Sequence, residues 1–225
     1  MKLWIAGTIA QVKAVAATGL ASAIVTNPTV VAQWTAAENR PIEDIAADLV
    51  AATRLPLYIQ LHGPSAETFL AEAAALRRLS PLILPKLPST TEGLVACRAL
   101  ATQNIPVLVT TVCSVNQAYL AAVAGATSIC PYYARLGESG RDPAEFIATV
   151  AQLYARHGLK TEILPASIRT LEQAEAALVA GASGVIIFDE LFRQLCDHGV
   201  TASSLAGFEG DWAKTLYRFE NKLPA

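Results

Sequence analysis

Eight times along this chain a short apolar run is followed by a longer stretch of helical patterning, and no other feature narrows the possible folds as much. The apolar runs fall at residues 3–5, 21–25, 55–61, 81–88, 105–110, 126–130, 161–166 and 183–188. Helical patterning occupies 9–17, resumes from Thr29 and from Pro41, and recurs at 65–79, from Ser89, and at 114–124, 143–156 and 170–180. A last helix starts near Asp189. Regular alternation of this kind predicts a parallel sheet covered by helices, and eight repeats predict a closed (β/α)8 TIM barrel, an α/β fold. The runner-up is an open doubly wound sheet, but no G-x-G-x-x-G follows the first apolar run.

With no break in composition, residues 1–225 read as a single barrel domain, and those from about 200 onward as a C-terminal helical extension. The aromatics of that extension, Phe208, Trp212, Tyr217 and Phe219, are poorly suited to solvent and are expected to pack on the barrel or on a neighbouring subunit.

Composition agrees with buried strands: 53% of the residues are hydrophobic and only 16% are charged. A net charge of −2 gives no basic footprint for nucleic acid or an acidic membrane. No signal peptide and no spanning segment is expected, since the hydropathy comes from alanine-rich helices. Cys97, Cys113, Cys130 and Cys196 are scattered, which signals reduced thiols in a cytoplasmic protein rather than disulfides or a zinc site. No metal and no cofactor is implied.

Within the fourth apolar run, Pro81-Leu82-Ile83-Leu84-Pro85-Lys86-Leu87-Pro88, one lysine stands near the end of a strand. Burial there disfavours the ammonium form and makes a neutral amine accessible, and such an amine can attack a carbonyl to form a Schiff base. The ordinary alternative is a lysine that snorkels to solvent. Pro85 is unusual in a central strand, and a local bulge is expected there. Ser89 and Glu92 have capping-box spacing, as do Thr170 and Gln173, and Asp142 is a plausible N-cap.

Barrel chemistry collects at the C-terminal ends of strands. Those ends carry Ala6, Asn27, Gln60, His62, Lys86, Thr110, Tyr132, Arg135, Ser167 and Arg169. Amide and hydroxyl groups around a lysine can hold a water for proton transfer. Ser167 and Arg169 follow the seventh run, where barrels often bind phosphate. Each residue also has a plainer role: Asn27 as a turn residue, Thr110 as strand packing, Tyr132 as a space filler, the arginines as solvated charge.

The segments Val25-Thr26-Asn27-Pro28-Thr29, Leu84-Pro85-Lys86-Leu87-Pro88, Thr91-Glu92-Gly93-Leu94 and Ile105-Pro106-Val107-Leu108 resemble the transaldolase family. The similarity is greatest to its short members, the fructose-6-phosphate aldolases. It extends through Ala124-Gly125-Ala126, Pro131-Tyr132, Ala166-Ser167-Ile168-Arg169-Thr170 and Phe208-Glu209-Gly210-Asp211-Trp212. The resemblance implies a class I aldolase or transaldolase in which Lys86 forms a Schiff base with a ketose phosphate or ketone donor. It implies that Gln60, Thr110 and Tyr132 hold a catalytic water and that Asn27 positions the donor. Arg135, Ser167 and Arg169 match its phosphate-binding positions. It also implies a homo-oligomer, a decamer in the short members, in which the Trp212 region packs on a neighbour.

One departure matters. The family carries an aspartate at the end of its first strand, where this chain has Ile5-Ala6-Gly7, and the next carboxylate along the chain is Glu38. Val25 and Cys113 stand where close relatives carry threonine and tyrosine. Ala6 leaves Schiff-base formation possible but removes the group expected to handle the hydroxyl proton in carbon–carbon cleavage. The alternative function is therefore a weakened or repurposed sugar-phosphate-binding barrel, with a purely structural assembly protein as a third reading. His62, two residues after Gln60, would share its face if the strand continued, and is a candidate substitute acid–base.

Overall fold

The structure, a computed structural model, describes residues 1–215 of the 225. Tyr217 and Phe219 of the expected aromatic extension lie outside the described residues.

Eight parallel strands form one sheet in the order β7-β6-β5-β4-β3-β2-β1-β8. They are β1 (Lys2–Ala6), β2 (Ala23–Val25), β3 (Leu57–Gln60), β4 (Ile83–Pro88), β5 (Leu108–Val112), β6 (Ser128–Pro131), β7 (Glu162–Ile163) and β8 (Gly184–Phe188). The two ends of the sheet meet: the Ser183 N–H donates to the Ile163 carbonyl at 2.8 Å, and the Ile186 N–H to the Pro165 carbonyl at 2.9 Å. The result is a (β/α)8 barrel. β7 is only two residues long; beyond it the Leu164 and Ala166 N–H groups still donate to the Ile129 and Pro131 carbonyls, and Ala166 bridges to Tyr132.

The period-2 alternation of each strand splits the core in two. One cluster packs between the strands and the surrounding helices and includes Ile5, Ile24, Leu57, Ile83, Leu87 and Val109. The other fills the barrel: Trp4, Ala23, Val25, Tyr58, Leu84, Leu108, Cys130, Leu164 and Ile186. Inside it the Trp4 and Tyr58 rings stack at 4.6 Å, 18° from parallel. Such a pair contributes about 0.5–1.5 kcal/mol beyond its buried area, and it closes the barrel below the mouth. Two residues further along their strands stand Ala6 and Gln60, so the aromatic pair is the layer beneath the site.

The helices of the barrel are α1 (Ile9–Ala17), α2 (Pro28–Glu38), α3 (Ile42–Thr53), α4 (Ala66–Leu79), α5 (Thr91–Ala101), α6 (Val115–Val123), α7 (Tyr133–Glu138), α8 (Pro143–Arg156), α9 (Leu171–Val179) and α10 (Asp189–Gln194). Asp142 caps α8 as expected, accepting from Ala144 and Glu145 N–H, and Thr170 caps α9, although the Gln173 side chain accepts from the Arg169 N–H and does not complete the expected box. Three further local expectations are corrected. Thr90, not Ser89, caps α5, which frees the Ser89 hydroxyl for a different bond. Pro41 is the cap of α3 rather than its first residue. The bulge lies on β5 between Thr110 and Val112, not at Pro85, which keeps regular register with Ile59; nothing in the structure explains the proline. A Cβ at Gly93 would run into the Pro88 carbonyl, so α5 lies directly on the end of the strand that carries Lys86.

The chain forms two compact units, Met1–Phe192 and the part from Arg193 on. The first is the barrel. The second holds α11 (Gly199–Trp212), capped by His198 and exposed along its whole length, with Val200, Leu205, Phe208 and Trp212 each more than half exposed. Among the described residues no helix is long and apolar enough to cross a membrane.

Candidate active site

Lys86 reaches the barrel interior because β4 alternates: Leu84 and Lys86 point inward, Ile83 and Leu87 outward. It is 3% exposed, and its Nζ donates to the Thr26 carbonyl at 2.8 Å. Among the described residues no carboxylate forms an ion pair with it. Burial therefore lowers its pKa, a trend that the nearby Cys130 thiol opposes only weakly. Thr26 is itself fixed, its hydroxyl donating to the Tyr58 carbonyl at 3.2 Å and accepting the Gln60 N–H at 3.3 Å.

Lys86 opens on a cavity of about 440 Å³ at the C-terminal mouth of the barrel. Of the residues anticipated from sequence, Asn27, Gln60, Tyr132, Arg135 and Ser167 line that cavity with Lys86. The Gln60 Oε1 is buried without a protein partner, so it is available to accept from a ligand. Thr110 is fully buried just below, and its hydroxyl donates to the Tyr132 phenol oxygen at 3.3 Å. Burial raises the Tyr132 pKa, the Thr110 hydrogen bond working against it, so the phenol is a proton-bearing donor at neutral pH. The Arg135 guanidinium lies 5.0 Å from the centre of the Tyr132 ring. Asn27 caps α2 through its Oδ1, which receives the Val30 N–H at 2.9 Å.

Two anticipated residues stand apart. Arg169 forms an ion pair with Glu138 at 2.6 Å, is 58% exposed at its side chain, and is not among the cavity residues. His62 is exposed and also outside the cavity: β3 ends at Gln60, so strand alternation no longer governs its direction, and its N–H donates to Glu72 at 2.7 Å.

Three contributors carried no usable signal in the sequence. The Thr26 carbonyl acts through its backbone. Thr111 lines the cavity at φ 59, a conformation strained for a β-branched residue by about 1–3 kcal/mol. Ser89 holds it there, its hydroxyl donating to the Thr111 carbonyl at 2.9 Å. This contact lies at the β5 bulge, next to the Thr110 that bonds Tyr132. Ser167, at φ 59, is the second strained residue on the cavity wall.

Among the described residues, then, a buried lysine without a carboxylate partner shares a cavity with neutral hydrogen-bonding groups and Arg135. The family described as Transaldolase/Fructose-6-phosphate aldolase matches residues 6–222. The chain belongs to this family. A probable transaldolase of Caulobacter vibrioides is 35% identical over 216 residues, covering 96% of this chain and 98% of its own. Probable transaldolase 2 of Listeria monocytogenes is 34% identical over 205 residues, covering 91% and 92%. Among solved structures, a thiamine phosphate pyrophosphorylase from Pyrococcus furiosus superposes with a TM-score of 0.59, over 86% of this chain and 93% of its own, at 14% identity. That likeness concerns the barrel alone. Its transaldolase relatives make this chain a transaldolase-like enzyme.

Proposed function

We propose that the protein is a class I aldolase or transaldolase of carbohydrate metabolism, making or breaking a carbon–carbon bond in a ketose phosphate such as fructose 6-phosphate through a Schiff base on Lys86. The observation that carries this reading is the burial of Lys86 beside a neutral carbonyl acceptor, with its pKa lowered, at the edge of a cavity. The neutral amine attacks the donor carbonyl, and loss of water leaves an iminium. The bond between the third and fourth carbons then breaks, its electron pair passing into the iminium to give an enamine. The departing fragment becomes an aldehyde as its hydroxyl loses a proton. The enamine either takes a proton and hydrolyses, which is cleavage, or attacks a second aldehyde, which is transfer.

In this reading Gln60, Thr110 and Tyr132 hold the water that carries protons, Asn27 orients the donor, and Arg135 with Ser167 receives the phosphate. Arg169 contributes only after leaving Glu138. The enzyme would work in the cytoplasm as a homo-oligomer, a decamer as in the short members, with the exposed aromatics of α11 packed on a neighbouring subunit. Borohydride reduction with dihydroxyacetone or fructose 6-phosphate should add mass to the peptide carrying Lys86. Undiminished labelling in Lys86→Met would sink the assignment.

One observation favours a second reading. Among the described residues that line the cavity there is no carboxylate, Ala6 included. A sugar-phosphate-binding barrel with little or no turnover would bind fructose 6-phosphate yet release no aldehyde.

A further inference from the structure

Strand order sorts the cavity wall by chemistry. Around the closed ring, β3 to β7 and their loops supply Gln60, Lys86, Thr111, Tyr132 and Ser167, all able to hydrogen-bond. The three consecutive strands β8, β1 and β2 themselves supply Ile186, Phe188, Ala6 and Val25, none of which has a polar side-chain atom, while the polar Thr26, Asn27 and Thr29 follow only after β2 ends. Lys86 on β4 is four strands from β8 in either direction, so it faces β8, the end strand of that apolar arc, across the barrel.

Resting on the Schiff-base reading above, we propose that this arc selects the donor: a ketone whose carbon beside the carbonyl, on the side facing β8–β1–β2, bears hydrogen or alkyl in place of hydroxyl. A carbonyl compound bound to Lys86 extends toward the opposite wall, where the strand residues Ile186, Phe188 and Ala6 offer a hydroxyl no side-chain partner. The Gly7 carbonyl and both polar groups of Thr26 are committed. The Gly7 carbonyl accepts the Trp34 indole N–H at 2.9 Å. The Thr26 carbonyl accepts Lys86, and the Thr26 hydroxyl bonds Tyr58 and Gln60. Asn27 and Thr29 belong to the cap and first turn of α2, at the rim beyond Val25. A donor hydroxyl on this side loses its water partners and gains none, whereas a methyl group meets Ile186, Ala6 and Val25, each at most 6% exposed. The substrate class that follows is a deoxygenated ketose end at Lys86, with an anionic group at the other end for Arg135.

The test is borohydride trapping on the full-length protein with acetone, hydroxyacetone and dihydroxyacetone at equal concentration. Adduct yield at Lys86 is read by mass spectrometry and divided by the yield on a free lysine derivative under the same conditions. The expected result is enrichment of the methyl-flanked donors over dihydroxyacetone by roughly tenfold, equivalent to about 1.4 kcal/mol. Ala6→Ser, and independently Ile186→Thr, should narrow that ratio while the Lys86 adduct persists; two variants on different strands guard against one failing to fold. Adducts at Lys86 with equal normalised yields, or with dihydroxyacetone ahead, overturn this inference and leave the Schiff-base reading standing. No adduct with any donor overturns the Schiff-base reading, and this inference with it.

Discussion

Each end of the barrel holds a lysine, and the surroundings treat the two in opposite ways. At the N-terminal end, Lys2 forms an ion pair with Glu162 at 2.7 Å, and the Ser128 hydroxyl donates to the same carboxylate at 3.3 Å. Lys2 remains 41% exposed at its side chain. At the C-terminal mouth, Lys86 is 3% exposed and has a backbone carbonyl where Lys2 has a carboxylate. A partner carboxylate would stabilise the ammonium and hold the proton on the nitrogen; a neutral carbonyl oxygen does so less, and burial outweighs it. Glu162 even adds to burial in pushing the Tyr58 phenol up to about 12, so negative charge at the lower end suppresses ionisation there. The lower end is arranged for charge balance, and the mouth for an amine that can lose its charge.

The sharpest way to break this contrast is Lys86→Met. Trapping by borohydride should disappear, and the variant should be more stable than the native chain at neutral pH. Above 10.5 a lysine is neutral in both the folded and the unfolded state, and burial carries no charge penalty. Below the lowered folded value it is charged in both states, and the native state bears the full desolvation cost. The native chain's stability relative to Lys86→Met should therefore rise as pH climbs from the lowered value toward 10.5. Thermal melts across alkaline pH would check this, each kcal/mol recovered raising the midpoint by about 2–4 °C. A variant less stable than the native chain at neutral pH would remove the claim that Lys86 is held at a cost.

Arg135→Ala should weaken phosphorylated ligands by roughly tenfold or more, since a charge-assisted hydrogen bond contributes about 1.5–3 kcal/mol. Titration calorimetry with fructose 6-phosphate against dihydroxyacetone should show the loss only for the former. Equal losses would count against a phosphate role. Arg169→Ala is the matched control, because Glu138 already holds that guanidinium outside the cavity, and its effect should stay below about twofold, under 0.5 kcal/mol.

Thr111→Gly separates strain from alignment. Glycine accepts φ 59 without a Cβ penalty, so the melting point should rise by about 2–4 °C, corresponding to roughly 1 kcal/mol. The trapping rate should fall severalfold as Thr110 loses its hold on Tyr132. Ser89→Ala should lower the rate through the same contact without the gain in stability.

The smallest effect belongs to the lower end. Lys2→Met should cost no more than about 1 kcal/mol, as partly exposed ion pairs do, and should leave trapping at Lys86 unchanged.

Period-2 and helical periodicity by themselves determined the barrel, the inward direction of Leu84 and Lys86, and most of the caps, because these depend on neighbours close in the chain. The same local rule brought Gln60, Lys86, Tyr132 and Ser167 to one mouth, since each ends a strand or opens the loop after it. It could not go further where a residue's fate depends on a distant partner. Ser89 has the spacing of a helix cap but bonds Thr111 across the sheet, twenty-two positions away. Arg169 sits in the right loop but is claimed by Glu138, and His62 leaves the strand that would have aimed it inward. The partner of Lys86 is a backbone oxygen sixty positions away, and no side-chain pattern encodes it. Desolvation is likewise a property of the closed barrel: only when all eight strands surround Lys86 does its amine lose water, and only tertiary structure decides that.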